Sequence, residues 1–265
     1  MTSPVFESTT PDPIAYLDRV AETDLGRSYK ERMLHELAIR PGHTALDLGC
    51  GPGTDLAPLA QAVTGTGTVI GIDHDQATID VARERTADQS AVSVRRADIH
   101  DLPLPDDTAD RARTDRVLQH VADPAGALRE IHRVLRPGGR LVMGEPDWGT
   151  LTVDHPDGQL SRAYTQFVTD KVVRNARIGS RLPRLATAAG FTVPSVIPIT
   201  PVFRDAEAAD KILGLERTTQ RAVAAGYLTE DASRRWLDHL STGPFLAAMT
   251  FYIVVAESKW NGPSS

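Results

Sequence analysis

Residues Ala45 to Asp55 read ALDLGCGPGTD, with Asp47 ahead of glycines at 49, 51 and 53. Glycines where a strand turns into a helix leave bare backbone and bring helix-end N–H groups close to a ligand, although such a loop alone also fits a simple tight turn. Two details narrow the chemistry. A dinucleotide loop requires G-x-G-x-x-G, and position 54 is threonine. A carboxylate at position 47 repels a pyrophosphate and attracts an ammonium group. The expected ligand carries a positive amine and places no phosphate on this loop.

Two more acids extend the reading. Asp73, in VIGIDHD, stands about where an acidic residue accepts bonds from both ribose hydroxyls. Asp98 closes VSVRRAD, where it can meet the exocyclic amine of an adenine. Each alone also suits a solvated turn. Three acids at successive strand ends describe one ligand with ammonium, ribose and adenine but no pyrophosphate, which is S-adenosylmethionine.

The elements that position these residues alternate. TALDLG, TVIGID and VSVRRAD read as strands, with TDLAPLAQAV and QATIDVARERTA as helices between them. In HVADPAGALREIHRVLRPGG a helix starts at Asp123 and Pro124, turns Leu128, Ile131, Val134 and Leu135 to one face, and stops at Pro137-Gly138-Gly139. RLVMGEPD then forms another strand. Short alternating units of this kind imply a mainly parallel sheet with helices on both faces. Residues 1–13 read as a loose arm, and Ile14 to Ala38 as two short helices broken near Gly26. After Trp148, SRAYTQFVTDKVVRNARIG and SRLPRLATAAG look helical, a proline-containing edge strand follows near 191–203, residues 205–242 are largely helical, and FLAAMTFYIVVAES ends the chain as a long strand.

LDLGCGPGTD, GIDHD, ADIHDLPLPDD and VLQHVADPAGALREIHRVLRPGGRLVMGEPD resemble, in order, the motifs of class I S-adenosylmethionine-dependent methyltransferases. Within that family they are most similar to the branch of ubiquinone/menaquinone-type and natural-product small-molecule enzymes. The resemblance covers about residues 43–147. It implies a Rossmann-like α/β fold with a seven-stranded, mainly parallel sheet, an antiparallel last strand beside the fifth, and a helical cap. It also implies that Asp47, Gly49 and Gly51 line the methionine end of the cofactor, that Asp73 holds the ribose with His74 beside it, that Asp98 and Ile99 flank the adenine, and that Tyr29 covers the cofactor. The expected organisation is one methyltransferase domain, with an N-terminal helical cap at 1–40, a cofactor-binding half at 41–148 and a substrate half at 149–265.

The fourth strand departs from the family pattern. DRARTDRVLQHV places Arg111, Arg113, Asp115 and Arg116 where a central strand is normally apolar. Local ion pairs at the strand's ends are one account; the other has Arg116 facing the carboxylate of the methionine moiety.

Methyl transfer is an in-line displacement with a neutral leaving group, so the protein aligns the nucleophile and, where needed, takes its proton. His120 is the candidate base, or else a polar residue capping its turn. Glu145, Asp147 and Trp148, after the fifth strand, and the aromatics Tyr16 and Phe167 are candidate substrate contacts, with structural roles as the alternative. Tyr164 falls in the same class, and Cys50 reads as a small structural residue. The acceptor is expected to be a small molecule methylated at O, N or C. A nicotinamide-dependent oxidoreductase is disfavoured by Asp47 and the glycine spacing, while a non-methylating S-adenosylmethionine-binding protein matches the same motifs.

Composition sets the remaining bounds. A net charge of −6 argues against a nucleic-acid surface built on phosphate contacts. No apolar run reaches the roughly 18 residues of a membrane span, and the first residues lack the pattern of a signal peptide. One cysteine, and histidines at no metal-ligand spacing, point to a metal-free cytoplasmic protein, and the N-terminal helices offer a homodimer contact.

Overall fold

The structure is a computed structural model that describes residues 12–259; the arm expected at 1–13 falls almost wholly outside them. Its first half runs α1 (Pro13–Glu22), α2 (Asp24–Leu37), β1 (Thr44–Leu48), α3 (Leu56–Val63), β2 (Thr68–Asp73), α4 (Gln76–Arg85), β3 (Val92–Arg96), β4 (Ala109–Asp115) and α5 (Pro124–Val134). The second half runs β5 (Leu135–Val153), α6 (Gly158–Phe167), a π-helical turn at Val168–Val172, α7 (Ile178–Ala188), β6 (Phe191–Ile199), β7 (Val202–Phe203), α8 (Ala206–Leu213), α9 (Leu215–Ala224), α10 (Glu230–Thr242) and β8 (Ala247–Ser258).

The sheet order is β3-β2-β1-β4-β5-β8-β6, with β7 also paired to β8. β1 to β5 pair in parallel, and β8 is antiparallel to each of its neighbours. This is the Rossmann-like α/β sheet with its antiparallel last strand, with eight strands rather than seven. The extra strand is the two-residue β7, which pairs Val202 with Ala248 and Phe203 with Ala247 at the start of β8.

Alternation along the strands builds a core on each face. Leu46, Ile70, Leu141 and Val254 pack with Ile131 of α5 and Leu182 of α7. Their neighbours Ala45, Val69, Val142 and Val255 pack on the other face with Met33 of α2, Leu59 of α3 and Ile79 of α4. Side chains of successive strand residues point to opposite faces, so both faces are covered. A further cluster, including Trp148, Tyr164, Phe167 and Trp236, forms where α6, α9 and α10 pack beyond the end of β5.

Four local expectations shift. The break between α1 and α2 falls at Thr23, whose hydroxyl caps α2 by accepting the Gly26 N–H at 2.9 Å. Gly26 serves a different need: a Cβ there would stand 2.0 Å from the Val20 carbonyl oxygen, so only glycine lets the helices meet this closely. Pro137-Gly138-Gly139 lies inside β5, whose pairing with β4 goes from Leu135↔Ala109 to Arg140↔Arg111 across a bulge. Asp98 lies two residues past the end of β3, and the helix begun at Gly158 gives way at Val168 to the π-helical turn. Among the described residues, no helix is long and apolar enough to cross a membrane.

Candidate active site

The chain runs outward from β1 through β2 to β3, then returns to β4 on the other side of β1. This reversal is the topological switch point, and ligands of open α/β sheets bind outside the carboxyl ends of the strands there. The glycine loop follows β1 at that point, and Asp115 ends β4 beside it, with Arg116 next in the chain.

Gly49, Gly51 and Gly53 all have left-handed backbone, with φ of 75°, 51° and 83°. At Gly49 a Cβ would lie 2.3 Å from Val117 Cγ2, so the loop is pressed against the segment after β4. Among the described residues, the same atom at Gly51 would meet only Leu17 Cδ1 of α1, at 3.5 Å. Asp73 closes the loop's other side: its Oδ2 accepts the Gly51 N–H at 2.9 Å and its Oδ1 the Asp75 N–H at 3.0 Å. Burial pushes the Asp73 carboxyl up, but hydrogen bonds from His74 and these two N–H groups outweigh it and leave it below the ordinary range. His74, mostly exposed, lies with Nδ1 3.2 Å from Asp73 Oδ1, and this bond raises its own pKa. Asp98 is exposed and accepts from His100, N–H at 2.9 Å and Nδ1 at 2.6 Å, while Ile99 packs against the core. Cys50 is buried, and burial followed by Asp47 and Asp73 drives its thiol pKa well up, which suits a structural residue.

The polar residues of β4 pair at the strand's ends, as Asp110 does with Arg136 at 2.8 Å, and also within the strand. Arg113 sits within the strand, its side chain 2% exposed, and reaches three carboxylates. Its Nη1 is 3.2 Å from Asp55 Oδ1, its Nη2 is 3.0 Å from Asp115 Oδ2, and its Nε is 3.5 Å from Asp47 Oδ1 without hydrogen-bond geometry. Lys30 of α2 joins from above, with Nζ 2.5 Å from Asp55 Oδ2 and 2.7 Å from Asp115 Oδ2, and the Tyr29 hydroxyl donates to Asp115 at 3.3 Å. A buried guanidinium needs several acceptors to offset its lost hydration, and these acids come from three separate segments. Burial opposes the charge on Arg113 and Lys30, but the surrounding acids hold both firmly protonated. Asp55, pushed up by burial, is brought down to about 2 by Arg113 and Lys30, whereas burial wins at Asp47 and lifts it to about 6. Asp47 is therefore an internal partner of Arg113 and no lone carboxylate at the loop's mouth. Lys30 and Asp55 carried no signal in the sequence; Arg113 did, as an arginine in the middle of a strand bordered on both sides.

Glu145 is fully buried and organises the turn after β4. Its Oε1 accepts the N–H groups of Val117 at 2.8 Å and Leu118 at 2.6 Å, while Oε2 has no hydrogen-bond partner. Burial, the largest influence, lifts its pKa to about 8. An unfolded chain releases this proton near pH 4.5, so the native state binds more protons from there to about pH 8, and stability falls as pH rises across that window. Glu145→Gln keeps an acceptor for both amides and cannot titrate. Its thermal midpoint should decline less between pH 5.5 and 8.5 than that of the parent; parallel declines would remove the assignment.

The other candidates divide. Tyr16, Tyr29, Arg116 and Trp148 line one partly open cavity of about 50 Å³. Arg116, at φ 60°, donates from Nη2 to the Tyr16 hydroxyl at 3.1 Å, and the Trp148 indole donates to Gln119 Oε1 at 2.8 Å. Glu145, Asp147, Phe167 and His120 are not among the lining residues. Asp147 is buried and accepts the N–H groups of Gly149 at 3.0 Å and Ser180 at 3.2 Å, so it ties β5 to the start of α7. Phe167 packs edge-on against Tyr227 in the C-terminal core. His120 is half-buried in the turn after β4, its N–H donating to the Val117 carbonyl. A larger open groove of about 1170 Å³ lies between α8 and α10 and shares no residue with the glycine loop.

Residues 46–143 match the family model described as a methyltransferase domain. A protein of transposon Tn4556 from Streptomyces fradiae, described as an uncharacterized 37.1 kDa protein, is 64% identical over 254 residues, or 96% of this chain and 74% of that one. A demethylmenaquinone methyltransferase from Staphylococcus aureus (strain MRSA252) is 33% identical over 152 residues, 57% of this chain and 62% of that enzyme, so the match spans less than two thirds of its length. Among solved structures, a SAM-dependent methyltransferase from Aquifex aeolicus superimposes with a TM-score of 0.55 at 23% identity, over 71% of this chain and 92% of that one, a likeness of fold. The stretch matched by the family model is the one that builds the glycine loop and its neighbouring strand ends, and through it the chain belongs to the methyltransferase-domain family.

Proposed function

We propose that this chain transfers the methyl group of S-adenosylmethionine to an O, N or C nucleophile of a small organic acceptor, in the secondary or cofactor metabolism of the cytoplasm. One observation carries the site assignment: Asp73 is hydrogen-bonded to the glycine loop at the sheet's switch point. A ribose beside that carboxylate places adenine toward Asp98 and Ile99 and the methionine end toward Asp47, Asp55 and Asp115. On this reading the donor's ammonium is held by the carboxylate group around Arg113 and not by Asp47 alone. The bound donor supplies an electrophilic methyl on a sulfonium. The chain's part is to orient the acceptor from the ends of β4 and β5, to exclude water with α1 and α2, and to receive a proton where the nucleophile carries one, with His120 as the candidate acceptor. The whole chain acts as one methyltransferase domain in this reading, its N-terminal helices roofing the cofactor half.

The test is titration calorimetry with S-adenosylhomocysteine. The parent should bind it and ignore NADH, and Asp73→Ala should bind about tenfold to a hundredfold more weakly, as the loss of one or two hydrogen bonds to a charged acceptor implies. Binding of NADH in place of S-adenosylhomocysteine would reverse the assignment. Formation of S-adenosylhomocysteine in turnover with candidate acceptors then separates methyl transfer from mere retention of the donor.

A further inference from the structure

The residues of α1 do two things at once. Tyr16 and Val20 form one wall of the small apolar cavity, while Leu17, between them, lies against Gly51 of the cofactor loop. The cavity therefore adjoins the methyl donor's site, with a single helix covering both. Its other walls come from Tyr29 of α2, Trp148 of β5, Ile212 of α8, and Met249 and Phe251 of β8.

The chemistry of this lining is one-sided. Among the described residues it holds no carboxylate, and Arg116 is its one formal charge. Each of its polar side chains is already engaged within the protein: Tyr16 donates to the Ile212 carbonyl, Tyr29 to Asp115, Trp148 to Gln119, and Arg116 to Tyr16. A guest rich in hydroxyl or ammonium groups would leave them without partners here, at a prohibitive desolvation cost. An apolar body loses nothing and gains the hydrophobic contribution of the covered surface.

The volume sets a second condition. About 50 Å³ holds a water molecule or two, whereas sites for small organic ligands span roughly 300–1,000 Å³. The wall able to yield is α1, which among its described side chains buries only Tyr16 and Val20. It is latched by polar contacts: Arg85 of α4 meets Asp18 with two bonds of 2.8 and 2.7 Å, and the Tyr16 hydroxyl reaches Ile212.

Resting on the methyltransferase reading above, we infer that this cavity is the floor of the acceptor site, that it takes the apolar ring or hydrocarbon body of the methyl acceptor, and that the acceptor gains access when α1 swings away from the Asp18–Arg85 latch. The specificity-determining residues are then Ile212 and Met249, opposite the helix.

The neutral apolar fluorophore N-phenyl-1-naphthylamine tests this in the full chain. The parent should bind it with enhanced fluorescence, 2-naphthol should displace it, and free amino acids and nucleosides should not. Met249→Phe and Ile212→Phe fill the cavity and should each weaken the probe at least tenfold, while Met249→Ala, which enlarges it, should bind the probe at least as well as the parent. Asp18→Asn, which loosens the latch, should speed probe association severalfold. Calorimetry with S-adenosylhomocysteine runs alongside as the check on folding and on the parent reading. Probe affinity unchanged in both filled variants, displacement by polar metabolites, or an association rate unmoved by Asp18→Asn would overturn the inference. Failure of the parent to bind S-adenosylhomocysteine while the filled variants still lose the probe would overturn the methyltransferase reading and leave the apolar cavity standing.

Discussion

Arg113→Met should destabilise the protein by about 3–5 kcal/mol, the usual consequence of removing one partner from a buried ionic group. For a chain of this size that is a fall of roughly 10 °C in the thermal midpoint. The loss should depend on pH in a way that a packing defect does not. In the parent, Asp55 is held at about 2, so its contribution to stability is complete above the unfolded carboxylate pKa and is lost as pH falls through about 2. Without Arg113, burial, which already wins at Asp47 in the parent, lifts that carboxyl further, and Asp55 loses the largest charge that opposes its burial, so both native pKa values move up. Relative to the parent, each shift favours folding at low pH and opposes it as pH rises. The midpoint difference between parent and variant should accordingly be larger at pH 8 than at pH 5. Equal differences at the two pH values would mean that Arg113 acts through its bulk alone. Arg113→Lys should fall in between, because one ammonium cannot span acids contributed by three segments.

Gly49→Ala should be the most damaging single methyl group in the molecule for donor binding. Its cost has two separable sources. A residue with a Cβ at φ 75° carries left-handed strain of about 1–2 kcal/mol, and the new methyl would stand 2.3 Å from Val117 Cγ2. Relieving that overlap moves the glycine loop away from β4 or displaces the turn that Glu145 holds. Affinity for S-adenosylhomocysteine should fall at least tenfold, read by calorimetry. Adding Val117→Ala removes the overlap and leaves the strain, so the double variant should regain part of the affinity and not all of it. Full recovery would show that φ at position 49 is immaterial; no recovery would show that the contact with Val117 is.

The same residues mark how far the sequence could be read. The alternation of strands and helices was legible because each element carries its own hydrophobic period; the ends of β1 to β3 followed from it to within two residues, as at Asp98, whereas β5 begins five residues before and ends six residues after the expected strand. The three-glycine loop was legible because its backbone demand is local: only glycine takes those φ values without strain. Position 113 was legible as an anomaly, but of the acids that neutralise it only Asp115 is a sequence neighbour; Asp47 and Asp55 come from another strand and from the start of α3, and the fold brings them to it. Glu145 and Asp147 stood at a strand end where functional acids gather, yet their oxygens serve backbone N–H groups after β4 and at the start of α7.

The sequence by itself determined the glycine loop and the alternation of elements that carries the methyltransferase-domain match, since both are short-range features. The tertiary structure decided what the acids at the strand ends are free to do. Asp47 lost its independence to Arg113, Lys30 was carried in by α2, and one short helix came to lie across both the cofactor loop and the apolar cavity beside it. Burial and charge pairing depend on which segments meet in space, and no local pattern of residue types encodes that meeting.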